Sequence, residues 1–184
     1  MRCFVAIKLP QEIRAEAVSI QNALRPLDLH AKWVEEKNLH LTLKFLGEVR
    51  EADLERAKEI VASVSSFAKP FVLDLSDIGA FANLRNPRVV WLGVKPMANP
   101  VVIVEYLEGA FQQIGLPAER RTPHPHITLA RIKSPKNVQK LEPEVRSIRV
   151  KELEWEVSGV SLFKSTLKPS GPVYEEVFEA RFSP

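Results

Sequence analysis

The stretch His40-Leu41-Thr42-Leu43 recurs 86 residues later as His126-Ile127-Thr128-Leu129. Each copy sits in an apolar, β-prone run, residues 39–46 and 126–132. Side chains alternate between the faces of a strand, so His40 projects with Thr42 while Leu41 and Leu43 point the other way. The same parity joins His126 to Thr128 and Ile127 to Leu129. Each copy therefore offers one imidazole and one hydroxyl on one face and anchors the opposite face in a core. A single tetrapeptide of this kind is usually just the solvated face of a half-buried strand. Two copies in one small chain need a reason.

The surrounding pattern repeats as well. Residues 2–9 form an apolar run of strand length, and Pro10 stands where a first helical turn tolerates it. Ile13, Ala17, Ile20, Leu24 and Leu27 then mark the inner stripe of an amphipathic helix. The first motif strand stops at Gly47. Leu54, Ala57, Val61, Val64 and Phe67 give a second helix, and residues 71–81 a strand. The pattern restarts at Arg88, which lies 86 residues after Arg2. A strand at 88–94 precedes a helix opening near Pro100, and the second motif follows. Residues 135–146 carry a weaker helical pattern, 151–165 read as one strand, and a last strand passes through Tyr174 and Phe178. Strand, helix, motif strand, helix and strand thus occur twice. Without a run of parallel βαβ units this predicts an α+β protein of two lobes, related by a pseudo-twofold if the repeat is structural. We expect residues 1–184 to be one bilobal domain of interleaved halves, roughly 1–85 and 86–184. Both motifs would line the cleft between them.

Composition excludes several alternatives. No apolar run approaches membrane-spanning length, and the first residues lack a signal-peptide layout. The lone cysteine, Cys3, rules out an internal disulfide and a multi-thiolate zinc site. These features suit a cytoplasmic protein. His124 and His126 form a His-Pro-His triplet, but no carboxylates or thiolates stand beside it, so no metal site is expected. Walker, nucleophile-elbow and dinucleotide signatures are missing, so no cofactor is expected either. The net charge is only +3, yet residues 118–136 hold Arg120, Arg121, Arg131, Lys133 and Lys136 against one acid, Glu119. That tract reads either as a solvated basic loop or as a landing surface for phosphates.

Two imidazoles facing one cleft suit a reaction that takes one proton and gives another. Histidine's ordinary pKa of about 6.5 lets one ring act as base and the other as acid, and a bell-shaped pH profile with limbs near that range would follow. A phosphodiester fits between them, its non-bridging oxygens held by the imidazolium and the threonine hydroxyls.

In the settings Asn38-Leu-His-Leu-Thr-Leu-Lys-Phe-Leu-Gly47 and Pro125-His-Ile-Thr-Leu-Ala-Arg131, the duplicated motif resembles the 2H phosphoesterases. It is most similar to their RNA 2′,3′-cyclic phosphodiesterase branch, also called 2′-5′ RNA ligases. The resemblance extends over Arg2-x-Phe4-Val5-Ala6-Ile7, Trp33 and the segment 165–174 with Gly171. It implies two pseudo-symmetric lobes, each an antiparallel sheet with helices on its outer face and both motifs lining the cleft between. It also implies opening of an RNA 2′,3′-cyclic phosphate to a 2′-phosphomonoester without metal or nucleotide. His40 would be the acid protonating the departing 3′ oxygen and His126 the base deprotonating water. Thr42 and Thr128 would hold the phosphate. Arg131 matches a family arginine that binds phosphate, although simple alternation points it away from His126. Arg120 and Arg121 are further candidates for RNA contact. The implied partner is RNA with 2′,3′-cyclic ends, such as tRNA fragments, acted on by a monomer. A related reaction, 2′-5′ ligation without ATP, replaces water by an RNA 5′-hydroxyl. The alternative, a non-catalytic RNA-end or phosphate-binding module, would call for a damaged motif, and both motifs are intact.

Overall fold

A computed structural model describes residues 1–184. Its nine strands are all antiparallel. They run β1 (Arg2–Ile7), β2 (Ala31–Trp33), β3 (Leu41–Glu48), β4 (Phe71–Asn83), β5 (Asn86–Lys95), β6 (His126–Ile132), β7 (Glu154–Val157), β8 (Gly159–Lys168) and β9 (Gly171–Arg181). Four α-helices intervene: α1 (Gln11–Leu24), α2 (Leu54–Ser63), α3 (Ala98–Gln113) and α4 (Leu141–Ser147). The expected α+β class and antiparallel pairing are what the chain adopts.

The strand order is β7-β4-β5-β6-β3-β1-β8-β9, with β2 on the flank of β6. This order is a palindrome of the repeat, because β5 corresponds to β1, β6 to β3 and β4 to β8. At its centre the two motif strands pair directly through only two positions, Leu41 with Ile127 and Thr42 with His126. Leu41 and Ile127 are themselves 86 residues apart, so the pseudo-twofold axis passes through that pair. Both are fully buried.

Each sheet half borrows its helical cover from the other half of the chain: α1 packs on β6 and α3 on β3. The buried stripe of α1 is Ile13, Ala17, Ile20 and Leu24, and that of α3 is Pro100, Val104, Leu107 and Phe111. These stripes match at a spacing of 87. The strands β1 and β5 match at 85 instead, since Ala6 faces Thr42 while Trp91 faces Thr128. The coincidence of Arg2 with Arg88 is therefore one residue out of structural register. A single apolar cluster of 41 buried residues draws on both halves of the sheet and on all four helices.

Residues 151–165 are not one strand. β7 ends at Val157 beside β4, and β8 begins at Gly159 beside β1, in the other half of the sheet. The chain changes halves at Ser158-Gly159, which requires the sheet to curl until its two halves approach. Gly159 permits the crossing: a Cβ there would stand 2.7 Å from the Ala180 carbonyl oxygen. Pro143 does not interrupt α4, because it falls in the first turn, where its missing N–H has no intrahelical partner to lose.

Candidate active site

The two histidines are oriented by the same local device. His40 donates from Nδ1 to the Asn38 carbonyl at 2.6 Å, and His126 donates from Nδ1 to the His124 carbonyl at 2.7 Å. The acceptors, like the donors, lie 86 residues apart. Each bond sets the ring tautomer with the proton on Nδ1, which leaves Nε2 as the group that exchanges protons. Asn38 is itself buried and donates through its side chain to the Pro172 carbonyl at 3.0 Å. The β8–β9 hairpin thus steadies the turn that aims His40. The two positions hold different residues, Asn38 and His124, and the acceptors are backbone carbonyls, so the sequence carried no signal for them.

The rings are walled differently. His40 stacks on Phe4, centroids 4.7 Å apart, and meets the edge of Tyr174 at 5.4 Å. His126 has the edge of Phe81 at 5.0 Å, and Trp91 lies 6.3 Å away. Burial among these aromatics pushes the His40 pKa down to about 4, against the opposing pull of the Asn38 bond, with His126 and Arg131 adding repulsion. Burial likewise lowers His126, with His124 and Arg131 acting in the same direction. Both rings are therefore neutral in the free protein at neutral pH, where ordinary histidines would be partly charged.

The threonines are exchanged across the seam. Thr42 faces His126, and the same register carried one step further sets Thr128 opposite His40. Each hydroxyl therefore flanks the other motif's imidazole.

Arg131 lies on the site face after all. The β5–β6 register steps from Val90–Ala130 to Trp91–Thr128, leaving Leu129 unpaired in a bulge that resets the alternation. Arg131 lines the same cavity as His126 and acts electrostatically on His40, His126 and Tyr174. The first motif carries the same bulge at Leu43, between the pairs Val5–Lys44 and Ala6–Thr42. There the residue equivalent to Arg131 is Phe45, also on the cavity wall and 56 % exposed. Arg120 and Arg121 line this cavity of about 910 Å³ as well. The rest of the basic tract does not: Lys136 is paired with Asp28 at 2.7 Å, and Lys133 lies outside the cavity wall. The tract is thus two surfaces and not one. His124 stands in the cavity wall with its ring 4.7 Å from Trp91. No group of three or more His, Cys, Asp or Glu side chains comes together to hold a metal ion.

Two imidazoles with their Nδ1 atoms committed, a threonine hydroxyl beside each and an arginine near both make an arrangement able to run acid–base chemistry on a phosphoester. The comparisons with known proteins agree. Residues 7–91 and 96–174, each stretch with one motif, match the family described as LigT like Phosphoesterase, and the chain belongs to that family. A protein of Methanothermobacter thermautotrophicus named RNA 2′,3′-cyclic phosphodiesterase is 36% identical over 180 residues, covering 96% of both chains. One of the same name from Thermotoga maritima is 34% identical over 99% of this chain and 96% of its own. Among solved structures, TT0787 of Thermus thermophilus superposes with a TM-score of 0.82 at 33% identity, covering 99% of this chain and 98% of that one. Escherichia coli LigT complexed with 3′-AMP gives 0.79 at 26% identity, covering 100% and 98%.

The depressed histidines make a pH prediction. The acid must carry a proton that its burial disfavours, and a bound phosphodiester anion restores it by stabilising the imidazolium. The bell for kcat/KM, which reports the free enzyme, should therefore lie below the unperturbed histidine range. The bell for kcat, which reports the complex, should lie at higher pH. Coincident bells centred near neutrality would contradict this ordering.

Proposed function

We propose that this protein hydrolyses 2′,3′-cyclic phosphate ends of RNA to 2′-phosphomonoesters. The observation that carries the reading is the matched pair of Nδ1–H bonds to the Asn38 and His124 carbonyls, which commits both Nδ1 atoms and leaves both Nε2 atoms to exchange protons. On binding the anionic phosphate, His40 takes up a proton. His126 Nε2 then accepts a proton from water, the hydroxide attacks phosphorus, and the bond from phosphorus to the 3′ oxygen breaks. His40 Nε2–H protonates that oxygen. Thr42, Thr128 and Arg131 bind the non-bridging oxygens. His126 returns its proton to solvent, and no other group is consumed. An RNA 5′-hydroxyl in place of water would give a 2′-5′ linkage by the same steps.

Both motifs come from one chain, which supports a monomer as the acting species, and the single buried Cys3 suits the reducing cytoplasm. No helix is long and apolar enough to cross a membrane.

The test is incubation with a nucleoside 2′,3′-cyclic phosphate in excess chelator and without ATP. Turnover to the 2′-phosphate is expected. A 3′-phosphate product would mean that the other ester bond is cut, and turnover that depends on added zinc or magnesium would overturn the metal-free scheme. We also propose that Arg120 and Arg121 hold phosphates of the RNA body. Changing both to Gln should raise KM for an oligonucleotide and flatten its salt dependence, with a smaller effect on a mononucleotide. Equal effects on the two substrates would refute that role.

A further inference from the structure

The two sides of the pseudo-twofold are not equivalent. On one side, β2 lies along β6, pairing Ala31 with Ile132 and Trp33 with Ala130, and the Val34 amide donates to the Leu129 carbonyl at 3.0 Å. Gln21 of α1 closes this side, donating from Nε2 to the Val34 and Leu129 carbonyls at 2.8 and 2.9 Å. On the other side the corresponding residues are 117–119, and they do not pair with β3. No backbone–backbone hydrogen bond holds any residue from 117 to 125, a stretch with prolines at 117, 123 and 125. The cavity of about 910 Å³ opens on this side, along residues 42–47 of β3 and the 117–125 segment.

Two substitutions within the repeat explain the difference. The position of the fully buried Ala130 is taken by Lys44, and that of Gln21 by Glu108 at the helical spacing of 87. Lys44 is buried and donates from Nζ to Glu108 Oε2 at 2.7 Å and to the Pro117 carbonyl at 3.3 Å. The same Glu108 oxygen accepts the Glu119 amide at 2.8 Å. A long cationic side chain in place of a methyl group holds the segment away from β3, and the carboxylate fixes it there. Apart from the His126–His124 bond, this node supplies every hydrogen bond that ties the segment to the rest of the fold. The wall so positioned carries Arg120 and Arg121, which line the same cavity as Phe45 and His126.

We propose that Lys44 and Glu108 form a latch that holds open a subsite for the nucleotide preceding the cyclic phosphate. This rests on the reaction proposed above and specifies its substrate: an oligonucleotide in preference to a mononucleotide. The preceding nucleotide lies on this side, since β2 takes the matching flank of β6 on the other. Lys44 and Glu108 are positioning residues that act through the 117–125 wall.

The experiment compares kcat/KM for a dinucleotide ending in a 2′,3′-cyclic phosphate with that for the mononucleoside 2′,3′-cyclic phosphate. Wild type should favour the dinucleotide. Glu108→Gln alone leaves the Lys44 cation buried without its partner, so the main test is the pair Lys44→Ala with Glu108→Gln. This pair reproduces the side chains of the closed side and buries no charge. Its ratio of dinucleotide to mononucleotide kcat/KM should fall about tenfold, the weight of one hydrogen bond to a charged group, in protein shown by circular dichroism to be folded. A general loss of stability would lower both rates together and leave the ratio unmoved. An unmoved ratio overturns the latch, whether the rates fall or not. A wild-type protein with no dinucleotide preference overturns the subsite while leaving the reaction intact. Turnover of neither substrate removes the reaction first and the subsite with it.

Discussion

Replacing His40 or His126 with alanine should each lower kcat by about 10²–10⁴, the usual weight of a general acid or base. Neither change should unfold the protein, because neither ring belongs to the apolar cluster. The losses should combine to less than their product, since acid and base serve one transition state. The two variants are separable by leaving group. A cyclic or aryl phosphodiester whose departing oxygen needs no proton should restore turnover to His40→Ala and not to His126→Ala. Rescue of His126→Ala instead would reverse the assigned roles. Unchanged kcat in both single variants would end the acid–base reading. Thr42→Ala and Thr128→Ala should cost less than either histidine, because they bind charge and move no proton.

The second large effect is on stability. Leu41→Ala and Ile127→Ala should each destabilise the fold by about 2–5 kcal/mol, the range for emptying a buried aliphatic site. The two positions are fully buried and form one of the only two pairs that join the halves of the sheet. Their effects should interact, because each lines the space the other vacates. Denaturant titration of the single and double variants measures both quantities. Single losses below about 1 kcal/mol would show that the seam contributes little and that the helices alone unite the halves.

The repeat was legible because histidine and threonine recur at one spacing while aliphatic residues alternate with them. The helices were legible from stripes that both faces of the fold demand. Alternation failed at Arg131, since nothing in Thr-Leu-Ala-Arg distinguishes a bulged leucine from a paired one. It failed again at 151–165, where Ser158-Gly159 reads as an ordinary interruption unless a close backbone neighbour is known. The basic tract looked continuous because sequence proximity hides that Lys136 turns to meet Asp28 on the other side of β2. The depressed histidines were hidden for a related reason: Phe4, Tyr174, Phe81 and Trp91 come from four different strands, and only their convergence dries the rings. Lys44 stood in the open beside the first motif, but its meaning depends on the alanine at the matching place in the second.

The exchange of helices between halves also constrains how the chain is made. During synthesis α1 emerges early, yet the strand it packs on, β6, follows about a hundred residues later. The wait is longer for β1, which lies between β3 and β8 and pairs Arg2 with Ser165. Until β8 leaves the ribosome, one edge of β1 stays open and the stripe of α1 has been without a partner for most of translation. Such long-range pairing makes folding slow and leaves nascent intermediates exposed to association. The active cleft is consequently among the last things assembled, and a truncated chain that still contains both histidines has no stable scaffold on which to hold them.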